Sequence, residues 1–494
     1  MKKIFCFLFL SLILNNCSFD NKTGIWNDSE KIVKKSSNKE KDISELENNK
    51  DFKFKCLFKK QKEDFEECIT GKKKALADSR YELVFTGETR FNEEKDVTAD
   101  DKILIGKAIT NNNWLDEFYS ANNNISNIYY KNDKDIFFKS SRLAKFNSLK
   151  SLKFDNYAGF LVRDENIISF DQKGTIYVYS PSLKKKLFQF NFYQNQFKKY
   201  KKNIFFAAKG ENIYISDNLG YMYAININDQ KLIWARNFGV PFRSNIKIID
   251  NQIILANQDN VIFSVNTSDG ETNWQFSTST SILKSNFINN IALDLKNDLL
   301  FFLNTNGELY SINYLSQKIN WVINNAGPSS TDGSTSIFKG TPISLKDTNL
   351  IFSSEKYLFK YDGFSGSRIW SRSINSLIKP IITPGNIFLI SSDNLLICLD
   401  FISGEVIWSK NIFNQLSSSK PQKAKKKYGN PISLIIANGE LNLFTNNGYI
   451  ISFNSQNGNI SYKDKITSGF SAKPIFVEGY LYLLDKNSKL HIYN

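Results

Sequence analysis

The chain has 494 residues, 41% apolar and 14% aromatic, enough for a sizeable core. Lys and Arg exceed Asp and Glu by 64 to 49, a formal charge of +15, but Lys and Asn are spread along the whole chain. No nucleic-acid recognition motif stands beside that charge, and a single His gives little support to multi-His metal sites or to Ser–His and Cys–His catalysis.

Lys2 and Lys3 precede an apolar run over 4–14, too short to span a bilayer comfortably. A charged start and a short apolar stretch read as a secretion signal. Leu14-Asn15-Asn16-Cys17 follows and resembles the box that ends a bacterial lipoprotein signal, with Asn16 where Gly, Ala or Ser is usual. That resemblance implies lipidation of Cys17 and, with Ser18 rather than Asp next, an outer-membrane anchor facing the periplasm. Several acyl chains anchor stably where one does not. The alternative is a plain cleaved signal with an incidental Cys17.

We read 1–16 as the signal and 17–80 as a polar, mostly disordered tether, locally helical near Lys53–Cys68. Its few apolar residues cannot offset the entropy of ordering it. Cys56 and Cys68 could pair in an oxidising compartment. From Tyr81 the composition shifts. An extended run, Tyr81 to Phe85, and Trp114 in an Asn-rich loop place 81–134 as an extension packing on the domain that follows.

One pattern then recurs: Gly or Asn, an alternating strand ending in a polar residue, a tight turn, and an aromatic eight residues after the strand end. The clearest copies are 220–226 with Trp234 and 307–313 with Trp321. Asn266 with Gly270 and Trp274, Asp362 with Gly366 and Trp370, and Asp400 with Gly404 and Trp408 repeat it. Ser180 with Phe188 and Asn454 with Tyr462 are weaker copies. Copies start near 174, 220, 260, 307, 356, 394, 448 and 488, about 45 residues apart, the length of one four-stranded propeller blade. Asn or Asp and Gly suit the turn, and each Trp offers a large flat surface and an N–H for packing between blades. Cys398 falls in a repeat strand and reads as a small buried hydrophobe.

The eighth copy ends at Asn494, before its turn. Its outer strand must come from upstream, and Asp135–Ser140 is the best donor. Pairing the two removes two open sheet edges. The sequence therefore predicts an all-β, eight-bladed propeller over 135–494, closed by an N-terminal strand.

This pattern resembles the repeats of pyrroloquinoline-quinone enzymes and of their non-enzymatic relatives, above all the BamB family of outer-membrane assembly lipoproteins. The lipobox-like start, Trp114 before the first blade, the eight repeats and the basic insert 420–427 carry the resemblance. It implies a non-enzymatic scaffold, lipid-anchored at the periplasmic face of the outer membrane. It also implies docking on the POTRA domains of the barrel-inserting subunit and help in delivering unfolded outer-membrane proteins. Family likeness points to Pro241-Phe242-Arg243-Ser244 as a docking loop, with Phe242 filling a pocket and Arg243 pairing with a carboxylate, residue types that anchor interfaces. The acidic residues that the family uses before the Thr-Pro of the fifth repeat have no match in 336–342.

The other classes are a degenerate quinoprotein dehydrogenase and a periplasmic binding propeller of other function. A quinoprotein needs a Ca²⁺ held by carboxylate and amide oxygens and a carboxylate base. No adjacent Cys pair and no carboxylate cluster beyond the turn Asp residues stands out, so we expect no cofactor, no metal and no nucleic-acid partner. His491 occupies the strand position of Tyr177, Tyr223 and Tyr310, which makes it a core residue rather than a catalytic one.

Overall fold

Each repeat pairs with itself into a blade. The computed structural model describes residues 17–19, 26–28, 90–133, 135–143, 159–171, 173–193, 197, 199–280, 288–326 and 338–494. The helix expected near Lys53–Cys68, the Cys56 and Cys68 pair and the run from Tyr81 to Phe85 lie outside these residues. The chain divides after Thr89. Before that point, Cys17–Phe19 pairs antiparallel with Trp26–Asp28.

After it, eight antiparallel four-stranded sheets follow in chain order. Blades 1 to 7 occupy 160–191, 204–237, 247–277, 290–324, 344–372, 381–411 and 431–465. Blade 8 takes three strands from 475–493 and its outer strand from Ile136–Arg142, which pairs with Lys489–Tyr493. The ring closes through the strand expected from the sequence.

The third strand of each blade is the repeat strand. Alternation usually leaves one face wet, yet Met222, Tyr223, Ala224 and Ile225 are all buried. Neighbouring blades cover both faces, so the strand sits inside a stack. The turn before it carries a side-chain cap. One side-chain oxygen of Asp171, Asp217, Asn257, Asn304 and Asp485 accepts from the amides two and four residues on, at 2.8–3.0 Å. In blades 1 and 8 the second oxygen of the capping carboxylate meets the repeat strand, whereas that of Asp217 accepts from Tyr193 at 2.6 Å. Tyr177 donates to Asp171 at 2.9 Å, and His491 Nε2 lies 3.0 Å from Asp485 Oδ2 in the equivalent place. His491 is thus a buried packing residue. Despite burial, the bonds from His491 and from the Lys489 amide hold the Asp485 carboxyl below its usual range.

The repeat aromatics sit beside a β-bulge. In blades 1 to 7 the register slips once between the third and outer strands, immediately next to the aromatic. Opposite the aromatic stands a small residue in most blades: Ala224, Ser264, Ser311, Cys398 and Ser452. Cys398 is fully buried there, and burial pushes its thiol well up.

Each Trp then reaches the next blade. Trp234, Trp321, Trp370 and Trp408 donate Nε1–H to the turn carbonyls of Thr267, Gly363, Ile402 and Ser455, at 2.9–3.2 Å. Their rings lie on Gly270, Gly366, Gly404 and Gly458, whose φ values are +70° to +76°. A Cβ at any of these would fall 2.5–2.8 Å from an indole atom. Only glycine combines that φ with that approach.

Candidate functional site

The central channel is where the ring and the N-terminal extension meet. Residues 111–131 follow no repeat, yet they touch the innermost strand or its turn in every blade, in ring order. Trp114 and Val162 of blade 1 exchange backbone hydrogen bonds at 2.7 and 3.1 Å. Leu115 accepts from the Ala208 amide of blade 2 at 2.8 Å, and the Ser120 carbonyl takes Lys247 Nζ of blade 3 at 2.6 Å. Ala121 and Asn122 accept from the Leu293 and Leu345 amides of blades 4 and 5, at 2.9 and 3.0 Å. Asn124 pairs through its amide with both backbone groups of Ile382 in blade 6. Ile128 donates to Ile436 of blade 7, and Lys131 to Gly479 of blade 8. A segment that visits eight inner strands in turn closes that end of the channel as a plug.

Asn side chains do much of the stapling. Asn123 Nδ2 donates to the Ile291 and Ile343 carbonyls at 2.9 and 3.0 Å, bridging blades 4 and 5. Inner strands have one backbone edge unpaired, and short amides reach it where no further strand fits.

The channel is cationic. Lys247 leads the inner strand of blade 3, and Lys379 and Lys473 precede those of blades 6 and 8. Lys247 is 1% exposed and lies 2.9 Å from Asp116 Oδ2 of the plug. The Phe118 ring sits between two ammonium groups, with Lys247 Nζ and Lys473 Nζ each 5.8 Å from its centroid. Burial pushes Lys379 down to about 7, helped by repulsion from Lys473 and Lys247. Burial also pushes Lys473 down to about 8, against the pull of Glu117. A cavity of about 80 Å³ lies beside these groups, lined by Trp114, Glu117, Phe118, Lys379, Lys473 and the isoleucines of blades 6 to 8. The Nε1–H of Trp114 is buried and has no acceptor in the protein.

Residues 163–410, half of the chain, match the family model described as outer membrane protein assembly factor BamB. The chain belongs to the BamB family. Among solved structures, BamB from Moraxella catarrhalis aligns with a TM-score of 0.57 at 13% identity, covering 73% of this chain and 99% of that one. The quinohemoprotein alcohol dehydrogenase of Comamonas testosteroni gives 0.56 at 9% identity, covering 77% and 80%. A europium-containing methanol dehydrogenase gives 0.55 at 11%, covering 75% and 89%. Identities this low carry the fold and nothing finer. No curated protein matches the chain.

The residues of this BamB-family channel do not fit a quinone–calcium centre. Lysines stand around the axis, and the plug carboxylate Asp116 is taken up by Lys247. Among the described residues no three His, Cys, Asp or Glu side chains come together as metal ligands do. The cavity is about half the roughly 150 Å³ that accommodates benzene, far short of a tricyclic quinone.

The docking-loop residues separate. Phe242 is 1% exposed and packs edge-on against Phe238 and Phe263, so its ring belongs to the core between blades and cannot fill a partner's pocket. Arg243 is half-buried; its backbone bonds Ala256 and Asn289, and its Nε is buried with no partner in the protein. The basic insert becomes a helix, Pro421–Tyr428, after a short one, Ile412–Leu416, capped by Asn411. No helix among the described residues is long and apolar enough to cross a membrane.

The channel lysines escaped the sequence reading, although a signal was present. Thr341-Pro342-Ile343, Lys379-Pro380-Ile381, Asn430-Pro431-Ile432 and Lys473-Pro474-Ile475 are copies of one motif leading into an inner strand. Proline is tolerated at a strand's start because no ladder bond is lost there. The residue before it faces the channel in blades 6 and 8.

Proposed function

We propose that this chain is a non-enzymatic scaffold of the outer-membrane β-barrel assembly machinery, exported and held at the periplasmic face of the outer membrane through Cys17. Membership of the BamB family carries this reading. The channel supports it, because a plugged, lysine-lined channel leaves no bed for a quinone cofactor. The scaffold docks on the POTRA domains of the barrel-inserting subunit and assists insertion of unfolded outer-membrane proteins. Arg243 is the docking residue we assign, since it is half-buried where Phe242 is enclosed, and a guanidinium pairs strongly with a partner carboxylate.

The test is purification of the tagged full-length protein from detergent-solubilised membranes of its native cell. The barrel-inserting subunit should be recovered with it, and Arg243→Glu should weaken that association at least tenfold while blade melting stays cooperative. Failure to recover the subunit with the unaltered protein sinks the assembly reading. An unchanged association in Arg243→Glu sinks only the docking residue. Alcohol oxidation appearing on addition of quinone and Ca²⁺ would favour the dehydrogenase class instead.

A further inference from the structure

We propose that the central channel is a binding site for a small oxyanion of sulfate or phosphate size, held by the ammonium groups of Lys379 and Lys473 and by the indole N–H of Trp114. Three observations converge on one place. The first is charge. Lys247, Lys379 and Lys473 gather at the channel axis, and the plug offers two carboxylates, Asp116 and Glu117. One positive charge is left over in a half-buried setting. Lys379 has only a long contact, 3.5 Å from its Nζ to Ser344 Oγ.

The second is the unfilled donor. Trp114 is 6% exposed and its Nε1–H meets no acceptor, although it lines the same cavity. Buried donors are nearly always satisfied, and an unmet one marks an absent partner. The third is space. The cavity of about 80 Å³ takes a tetrahedral oxyanion but not a nucleotide. The rest of the wall is apolar, with Ile378, Ile381, Ile432 and Ile435, apart from the Ser433 hydroxyl, which can donate, and the Glu117 carboxylate, which pulls on Lys473. The two ammonium groups and the indole N–H can only donate, so a ligand that they hold must offer them acceptors. A charge-assisted bond to an anion is also the strongest kind such donors can form.

Three charged groups line the cavity, Glu117, Lys379 and Lys473, and the Asp116–Lys247 pair stands beside them. Lys379 gives up its proton near pH 7, through burial and then the repulsion of Lys473 and Lys247. An anion beside it favours the protonated form, so binding strengthens as the pH falls.

Calorimetric titration of the full-length protein in detergent with sodium sulfate tests this, since sulfate keeps its charge over the range used. At pH 6.5 the protein should bind sulfate saturably at one site, and at pH 8.5 at least tenfold more weakly. Lys379→Met should cost at least tenfold in affinity. Trp114→Phe should weaken binding severalfold with no change in charge. Lys426→Met, on the exposed face of the helix 421–428, should change nothing. Thermal melting checks that each variant is folded, and Lys379→Gln replaces Lys379→Met if that variant is not. The absence of saturable binding overturns the proposal. So does binding that survives both Lys379 and Trp114 substitutions.

Discussion

Two seams of the ring carry the same Trp and treat it differently. Between blades 5 and 6, Trp370 lies on Gly404 and donates to Ile402 at 3.0 Å. Between blades 3 and 4, Trp274 holds the equivalent strand position, but the facing turn has Gln317 at φ +59°. There the Nε1–H of Trp274 is buried without a partner. The turn takes the same left-handed conformation in both seams, so glycine is not what makes the turn. Glycine is what lets an indole lie against it and reach the carbonyl behind. The repeat's Gly and Trp look like partners within one copy, yet Trp234, Trp321, Trp370 and Trp408 each pack on the Gly of the following copy. The unit of sequence and the unit of packing are out of phase by one blade.

Substitutions at the two seams can break or sharpen this contrast. The largest effect is expected from Gly404→Ala. A Cβ there lies 2.7 Å from the Trp370 ring at φ +72°, so left-handed strain and overpacking add. Together they should cost about 2–4 kcal/mol, read by chemical denaturation. A loss under about 1 kcal/mol would mean that the ring moves aside freely. Next, Trp370→Phe should cost about 1 kcal/mol more than Trp274→Phe, because only Trp370 loses a made hydrogen bond. Equal losses would remove the contrast. The smallest effect is a gain. Gln317→Gly relieves left-handed strain but adds chain entropy to the unfolded state, leaving a rise of about 0.5 kcal/mol.

The ring was legible from the chain and the plug was not, for physical reasons. Blades are built from neighbours in sequence, so strand alternation, turn residues and a fixed aromatic offset write themselves as a period. The closing strand could be inferred because an unfinished blade demands one. The plug has no such grammar. Asn123 is stapled to carbonyls 168 and 220 residues away, and Asn124 to one 258 away. Read locally, an Asn-rich stretch is only a loop. The docking loop divides between its two residues: Phe242 and Arg243 are adjacent, but alternation turns one inward and leaves the other half-exposed. The channel lysines were hidden because a lysine ahead of a strand, such as Lys379 or Lys473 before its Pro, looks like ordinary surface until the blades are arranged around an axis.

The shared eighth blade also sets an order of events. Leu490 donates to the Ser140 hydroxyl across 350 residues, and Asn111 to the Phe476 carbonyl across 365. A chain delivered N-terminus first carries its closing strand and its plug through the growth of seven blades before either has its full set of partners. Closing loops this long is slow relative to pairing strands within a blade. The segments that emerge early are therefore the last to settle. Until the final twenty residues arrive, the ring has two bare edges and a half-seated plug, the state in which a chaperone or protease would meet it.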